Sequence, residues 1–191
     1  MLRYYITDGR GQAHRQDWLL ERMSAAAAAG VDYIQMREKD LSARAQWELA
    51  RAALERLRAF PATRLLINDR LDVALAAGAQ GVHLPGGGLA IADARRLAPP
   101  GFLIAASCHA PGEAVAAAEA GADFLVFGPV FATPSKPGAT PAGLAALAAA
   151  CRAAIPVLAL GGVNRENAAE CLAAGAAGIA GIRMFQEETD R

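Results

Sequence analysis

The sequence has little of what marks a secreted, membrane-spanning or zinc-binding chain. Its three cysteines, Cys108, Cys151 and Cys171, are odd in number, widely spaced and without a CxxC pair, which argues against a disulfide framework and against a zinc site. It has no run of eighteen apolar residues and no long apolar segment near the amino terminus. We therefore expect a cytoplasmic protein with no membrane partner.

An excess of charge of either sign is also missing, because 19 Lys and Arg residues balance 19 Asp and Glu residues. A neutral chain without a basic run offers no electrostatic attraction for nucleic acid, so we exclude nucleic acid as a partner. The residues that are present, 54% hydrophobic and 20% charged over 191 positions, are typical of a globular protein with a sizeable core. We expect one domain spanning residues 1–191.

Short apolar runs alternate with alanine-rich helical segments along the whole chain. Strands alternating with helices indicate a parallel sheet, and eight of them indicate a closed TIM (β/α)8 barrel, with a doubly wound open sheet as the alternative. The chain is short for such a barrel, which typically needs about 250 residues. After an eighth strand predicted at Gly178–Ile182, only Gln186–Arg191 remain, so we expect a shortened or missing last helix. The other strands are predicted at 4–7, 31–36, 64–67, 81–84, 102–106, 124–127 and 155–158.

An Ala-Gly pair precedes strands two, four, six and eight. The four glycines are Gly30, Gly78, Gly121 and Gly175. Glycine suits the left-handed residue that often follows a helix. The recurrence of this pair supports a chain built from repeated βαβα units.

Polar side chains gather where the predicted strands end. In a barrel, these carboxyl ends surround one mouth, where the active site of TIM-barrel enzymes lies. Their convergence predicts an enzyme. The residues concerned are Asp8, Gln35, Arg37, Lys39, Asn68, Asp69, His83, Ser107, His109, Thr133, Ser135 and Lys136.

Two segments suit phosphate groups. Gln35, Arg37 and Lys39 alternate after strand two and therefore share a face, where a guanidinium and an ammonium can bind a phosphate or diphosphate; the alternative is a solvated charge run. Gly161 and Gly162 follow strand seven, after which TIM barrels commonly bind phosphate. A tight turn alone would also select these glycines.

The remaining candidates each have a structural alternative. Asp69 could bind Mg²⁺ with Asn68 beside it, or either residue could cap a helix. Ser107 and His109 place a hydroxyl and an imidazole on one side of strand five, for proton transfer or for a structural hydrogen bond. We interpret His83 as a packed histidine of the barrel interior. The loop that carries Thr133, Ser135 and Lys136 either closes over an anion or leaves its lysine on the surface.

Taken in order, these motifs resemble the thiamine phosphate synthase and TenI family. They are Tyr-x-Ile-Thr-Asp, Gln-x-Arg-x-Lys, Asn-Asp-Arg-x-Asp, Gly-Val-His-Leu, Ser-x-His, Gly-Pro-Val-Phe-x-Thr-x-x-Lys and Ala-Leu-Gly-Gly-Val. The resemblance covers nearly the whole chain and implies a TIM barrel that handles a hydroxyethylthiazole phosphate. It implies one of two activities: coupling a pyrimidine diphosphate to the thiazole phosphate, or isomerising a thiazole carboxylate phosphate.

The synthase half of the family implies specific roles. Asp69 would bind Mg²⁺, Gln35 would lie by the pyrimidine, and Gly162 would hold the thiazole phosphate. The residues that would contact diphosphate are Arg37, Lys39, Asn68, Ser107 and Lys136.

One departure bears on the choice of activity. Synthases usually carry a second magnesium-binding aspartate where this chain has Gly88, and Leu-Pro followed by small residues is similar to TenI-type proteins. The resemblance therefore favours a thiazole tautomerase that needs no cofactor, with His109 and Ser107 as catalytic residues. A synthase with Mg²⁺ and a non-catalytic phosphate-binding or regulatory protein are the alternatives. A homo-oligomer is compatible with all three activities, since a partner subunit could cover the side of the barrel where the last helix is missing.

Overall fold

The computed structural model describes residues 1–135, 138 and 140–188, in which parallel strands alternate with helices. The strands are β1 (Leu2–Ile6), β2 (Tyr33–Met36), β3 (Arg64–Asn68), β4 (Gly81–Leu84), β5 (Leu103–Cys108), β6 (Phe124–Phe127), β7 (Val157–Ala159) and β8 (Gly178–Gly181). The helices are α1 (Arg15–Ala28), α2 (Ala43–Leu57), α3 (Leu71–Ala77), α4 (Ile91–Leu97), α5 (Pro111–Glu119), α6 (Gly143–Ala150), α7 (Ala168–Ala173) and α8 (Arg183–Glu188).

The eight strands close into a barrel in sequence order. Each strand pairs in parallel with the next, and β8 returns to β1 with Ala180 opposite Tyr4. The predicted TIM barrel is confirmed, and the open sheet is excluded because an open sheet would leave β1 and β8 as unpaired edges.

Successive residues of one strand supply two separate layers of the core. Tyr4 packs inside the barrel with Phe124 and Leu158, whereas Tyr5 packs with the helices outside. This follows from the alternation of side chains along a strand, and it explains why the strands are apolar throughout rather than at every second position.

The last helix is short, as expected, and it still covers the end of the barrel. Residues 183–185, which follow the predicted strand eight, begin α8. This turn into a helix brings Phe185 against Tyr5, with 6.2 Å between their ring centroids. Phe185 is buried in the same outer layer, so the short last helix is anchored to the barrel by an aromatic side chain.

The Ala-Gly pairs behave as predicted. Gly30, Gly78, Gly121 and Gly175 have φ of 78°, 77°, 97° and 101°, so each ends its helix in the left-handed region. The boundaries of the later helices differ from the predictions. We expected a helix from Asn164, but its side chain accepts hydrogen bonds from the amides of Glu166 and Asn167. The Asn164 carbonyl also accepts from the Ala168 amide at 3.0 Å, so Asn164 caps a first turn and the regular helix α7 begins at Ala168. Among the described residues, no helix has the length and apolarity to cross a membrane.

Candidate active site

A cavity of about 1040 Å³ opens at the carboxyl ends of the strands, and each of the eight strands contributes to it through its last residues or the loop that follows. It brings together most of the polar residues predicted from the sequence. Asp69 lies outside its lining, and Lys136 lies outside the described residues. The predicted residues that line it are Asp8, Gln35, Arg37, Lys39, Asn68, His83, Ser107, His109, Thr133, Ser135, Gly161 and Gly162.

The wall formed after β2 is cationic. Arg37 and Lys39 both line the cavity, and within the described part of the chain no carboxylate lies at ion-pair distance from either. Arg10 also reaches the cavity, but it pairs with Asp8 at 2.8 Å. The hydrogen bond from Arg10 lowers the pKa of the Asp8 carboxyl. Two unpaired cations on one wall favour an anionic ligand over a solvated charge run.

Glu38, which lies between these two cations in sequence, holds their loop in place. Its buried carboxylate accepts hydrogen bonds from the Thr7 hydroxyl at 2.5 Å and the Gly9 amide at 3.2 Å, and it pairs with Arg15. The Thr7 oxygen in turn accepts from the Arg37 amide at 2.9 Å. We had not singled out Glu38 from the sequence, although the alternation that places Arg37 and Lys39 on the cavity face places Glu38 on the opposite face.

Gln35 and Asn68 form a buried pair of side-chain amides that lines the cavity next to this cationic wall. The Gln35 side-chain amide donates to the Asn68 side-chain oxygen at 2.8 Å. The other amide atom of Gln35, Oε1, is buried without a hydrogen-bond partner among the described residues. A buried acceptor without a donor is costly, so a ligand N–H is its natural partner. Neither Asn68 nor Asp69 caps α3, whose first flanking residue is Arg70 without a side-chain cap.

Ser107 and His109 both line the cavity, but each is bound elsewhere rather than to the other. The Ser107 hydroxyl lies 2.7 Å from His83 Nε2. His109 Nδ1 donates to the carbonyl of Gly128, and its amide donates to Glu113 at 2.7 Å. The imidazole paired with Ser107 is therefore that of His83, which the sequence pattern placed in the barrel interior.

Burial lowers the pKa of His83 from 6.5 to about 3, with a smaller contribution from the nearby Arg37 cation. The folded protein keeps this ring neutral, whereas the unfolded chain protonates it below pH 6.5. We therefore expect the free energy of unfolding to fall as the pH falls from 6.5 towards 3, by up to roughly 1.4 kcal/mol per pH unit from this group. Urea unfolding of wild type and His83→Gln between pH 7.5 and 4.5 checks this. Parallel pH profiles for the two proteins would contradict it.

The opposite wall is formed by the loop after β7. Gly161 and Gly162 have φ of 93° and 64°, and Gly162 lies so close to the β6 loop that a Cβ there would sit 2.4 Å from the Ala132 carbonyl oxygen. Glycine at both positions lets the chain turn with its backbone facing the cavity. In an eight-stranded ring, β7 lies four strands from β3, so this wall faces Arg37 and Asn68 across the mouth.

Comparison with known proteins agrees with this arrangement. The family model described as thiamine monophosphate synthase matches residues 3–185. The chain belongs to this family. A putative thiamine-phosphate synthase of Geobacter sulfurreducens is 52% identical over 189 residues, covering 98% of this chain and 87% of the relative. The thiamine-phosphate synthase of Methanoculleus marisnigri is 45% identical over 193 residues, covering 98% and 88%.

A solved structure has the same fold. The thiamine phosphate pyrophosphorylase from Pyrococcus furiosus superposes with a TM-score of 0.84 at 33% identity, covering 99% of this chain and 92% of that one. The two sequence relatives carry the synthase name, and the match covers 87% and 88% of their lengths. The sequence-based preference for a thiazole tautomerase was therefore wrong, and the alternative that we had placed second is the better supported.

The geometry at Gly88 explains why that departure from the synthase pattern was a weak guide. A Cβ on Gly88 would lie 2.9 Å from the Asp69 carboxylate, so the two positions are neighbours across the β3 and β4 loops. The described residues contain no group of three His, Cys, Asp or Glu side chains that could hold a metal ion. Mg²⁺ needs no such group, because it binds through one or two carboxylates together with substrate phosphates. Asp69 alone therefore fits a magnesium ion that a phosphorylated substrate helps to hold.

Proposed function

We propose that this protein is a thiamine-phosphate synthase, which joins a pyrimidine diphosphate to a hydroxyethylthiazole phosphate and releases diphosphate. The observation that carries the proposal is one cavity with two opposed walls, each suited to an anion. An isomerisation of a thiazole carboxylate phosphate has no diphosphate for the cationic wall to bind. A cavity of about 1040 Å³ lies at the upper end of the range for small-molecule sites, roughly 300–1,000 Å³, and has room for both substrates.

The wall after β2, β3 and β5 would bind the diphosphate. Arg37 and Lys39 supply positive charge, and the Asn68 amide and the Ser107 hydroxyl supply neutral donors. When the bond to diphosphate breaks, its electron pair leaves with the diphosphate, whose negative charge therefore grows. Fixed donors at that position stabilise the leaving group more than the bound substrate, which accelerates the reaction. Thr133 and Ser135 of the β6 loop, with Lys136, would close this side.

Gln35 would select the pyrimidine. Its buried Oε1 acceptor has no protein donor among the described residues, and an exocyclic amine on the pyrimidine ring would supply one. Across the mouth, the backbone of Gly161 and Gly162 would bind the thiazole phosphate. The two substrates would then meet between the walls, with their reacting ends held together by their phosphorylated ends.

Asp69 would hold Mg²⁺ together with the diphosphate oxygens. The ion would neutralise charge on the leaving diphosphate. Asp69 suits this role because its exposed carboxylate accepts no hydrogen bond from any described residue and lies beside Gly88, where no side chain competes for it.

Gly88→Asp is expected to lower the Mg²⁺ concentration needed for half-maximal activity by about tenfold, because it adds a second carboxylate beside Asp69. The new Cβ would meet the end of the Asp69 side chain, which can rotate away. Gly86→Asp is the matched control: it adds the same charge to the same loop where a Cβ meets nothing within 4 Å. A magnesium titration that shifts equally in both variants would show that loop charge alone is responsible.

The proposal is tested by incubating the protein with both substrates, with and without Mg²⁺, and measuring thiamine phosphate and released diphosphate. Equal amounts of both products, formed only with Mg²⁺, are expected. Binding of both substrates without product would favour the non-catalytic, ligand-binding alternative and overturn the synthase proposal.

A further inference from the structure

Three side chains form a continuous hydrogen-bonded chain across the top of the barrel interior. The Tyr4 hydroxyl lies 2.9 Å from His83 Nδ1, and His83 Nε2 lies 2.7 Å from the Ser107 hydroxyl. Tyr4 is fully buried and His83 is 2% exposed. His83 and Ser107 line the cavity, whereas Tyr4 does not, so the chain joins a sealed part of the core to the site.

Burial fixes where the protons of this chain lie. The His83 ring is buried, and its two nitrogens face neutral hydroxyl groups of Tyr4 and Ser107, an environment that favours a neutral ring with one N–H. Among the described residues, His83 is the one hydrogen-bond partner of the Tyr4 hydroxyl. If Tyr4 accepted a proton from Nδ1, its own hydrogen would be buried without an acceptor, which is unfavourable. The arrangement that satisfies every buried group has Tyr4 donating to Nδ1 and His83 Nε2 donating to Ser107.

This arrangement determines what Ser107 can offer a ligand. Since the Ser107 oxygen already accepts from His83, its hydrogen cannot point towards that ring and turns to the cavity. We propose that Tyr4 and His83 are positioning residues that hold the Ser107 hydroxyl as a hydrogen-bond donor towards the diphosphate. The proposal rests on the proposed function to the extent that a diphosphate occupies this wall.

The Tyr4 hydroxyl can be removed without changing the contacts of its ring. Tyr4 packs against His83, Phe124 and Tyr33, and phenylalanine keeps these contacts. In Tyr4→Phe, His83 loses its donor at Nδ1 and can take the other tautomer, which accepts from Ser107. We expect the affinity for inorganic diphosphate with Mg²⁺, measured by titration calorimetry, to fall about tenfold, since a charge-assisted hydrogen bond is lost.

Two further variants separate positioning from general damage. Tyr33→Phe removes the same group from a neighbouring ring that makes no hydrogen bond to His83, and it is expected to bind diphosphate like wild type. In a Ser107→Ala background, Tyr4→Phe is expected to add no further loss, because the donor that it positions is gone. An equal loss in both backgrounds would assign Tyr4 a merely structural role and overturn the proposal.

The tautomer of His83 can be observed directly in the wild-type protein, independently of the Tyr4, Tyr33 and Ser107 variants. With ¹⁵N-labelled histidine, the two ring nitrogens of a neutral imidazole give distinct signals, and His83→Gln identifies which signals belong to this ring among the three histidines. We expect the Nε2–H tautomer. The Nδ1–H tautomer would overturn the proposal.

The two proposals fail in different ways. If wild type forms no thiamine phosphate but its diphosphate affinity still depends on Tyr4, the synthase function is wrong and the positioning role stands. If turnover is normal and Tyr4→Phe binds diphosphate like wild type, the synthase function stands and the positioning role is wrong.

Discussion

Replacing Arg37 with alanine is expected to lower kcat/KM for the pyrimidine diphosphate about 100-fold, because a charge-assisted hydrogen bond to the leaving group is lost. The magnitude follows from the position of Arg37. Its guanidinium lines the cavity, no described carboxylate neutralises it, and its amide is fixed by Thr7. Since the charge on the diphosphate grows as its bond breaks, kcat should fall as well as the apparent affinity. Steady-state kinetics with each substrate varied in turn measures both.

Arg10→Ala is the matched control for this prediction. Arg10 lines the same cavity but pairs with Asp8 at 2.8 Å, and its side chain is 69% exposed. An exposed paired cation contributes little to binding an anion, so we expect kcat/KM to change less than about threefold. If both variants lose activity equally, the cavity attracts its ligand by net charge, and the specific role assigned to Arg37 is wrong.

Gly162→Ala is expected to raise the KM for the thiazole phosphate by about 100-fold, with a smaller effect on the pyrimidine diphosphate. Gly162 has φ of 64°, where an alanine is strained by roughly 1–2 kcal/mol. Its new Cβ would also lie 2.4 Å from the Ala132 carbonyl oxygen, which is backbone and cannot rotate away. The β7 loop must therefore shift, and the amides that face the phosphate shift with it.

A larger rise in KM for the thiazole phosphate than for the pyrimidine diphosphate would support the assignment of the β7 loop to the thiazole phosphate. Gly86→Ala serves as the control, because Gly86 lines the same cavity and its added Cβ would meet nothing within 4 Å. We expect Gly86→Ala to keep both KM values near those of wild type. Thermal unfolding of both variants checks that the barrel is intact. An equal rise in both KM values of a folded Gly162→Ala protein would place the thiazole phosphate elsewhere.

Some parts of the site could be predicted from local sequence because the strand pattern decides them. Alternation after β2 puts Gln35, Arg37 and Lys39 on one face, and the end of a parallel strand must lie at the barrel mouth. The same alternation puts Glu38 on the opposite face. Local pattern could not show that Glu38 binds Thr7 and Arg15, since those residues come from another strand and another helix.

The amino-acid sequence by itself determined the barrel, the order of its strands and the left-handed glycines that end its helices, because these follow from periodicity and backbone conformation over a few residues. The tertiary structure decided three further points, each a matter of residues far apart in sequence. Ser107 pairs with His83 rather than with His109, and Phe185 of the short last helix packs against Tyr5. Gly88 lies beside Asp69, so the proposed magnesium ion would still have the Asp69 carboxylate where a second one is missing.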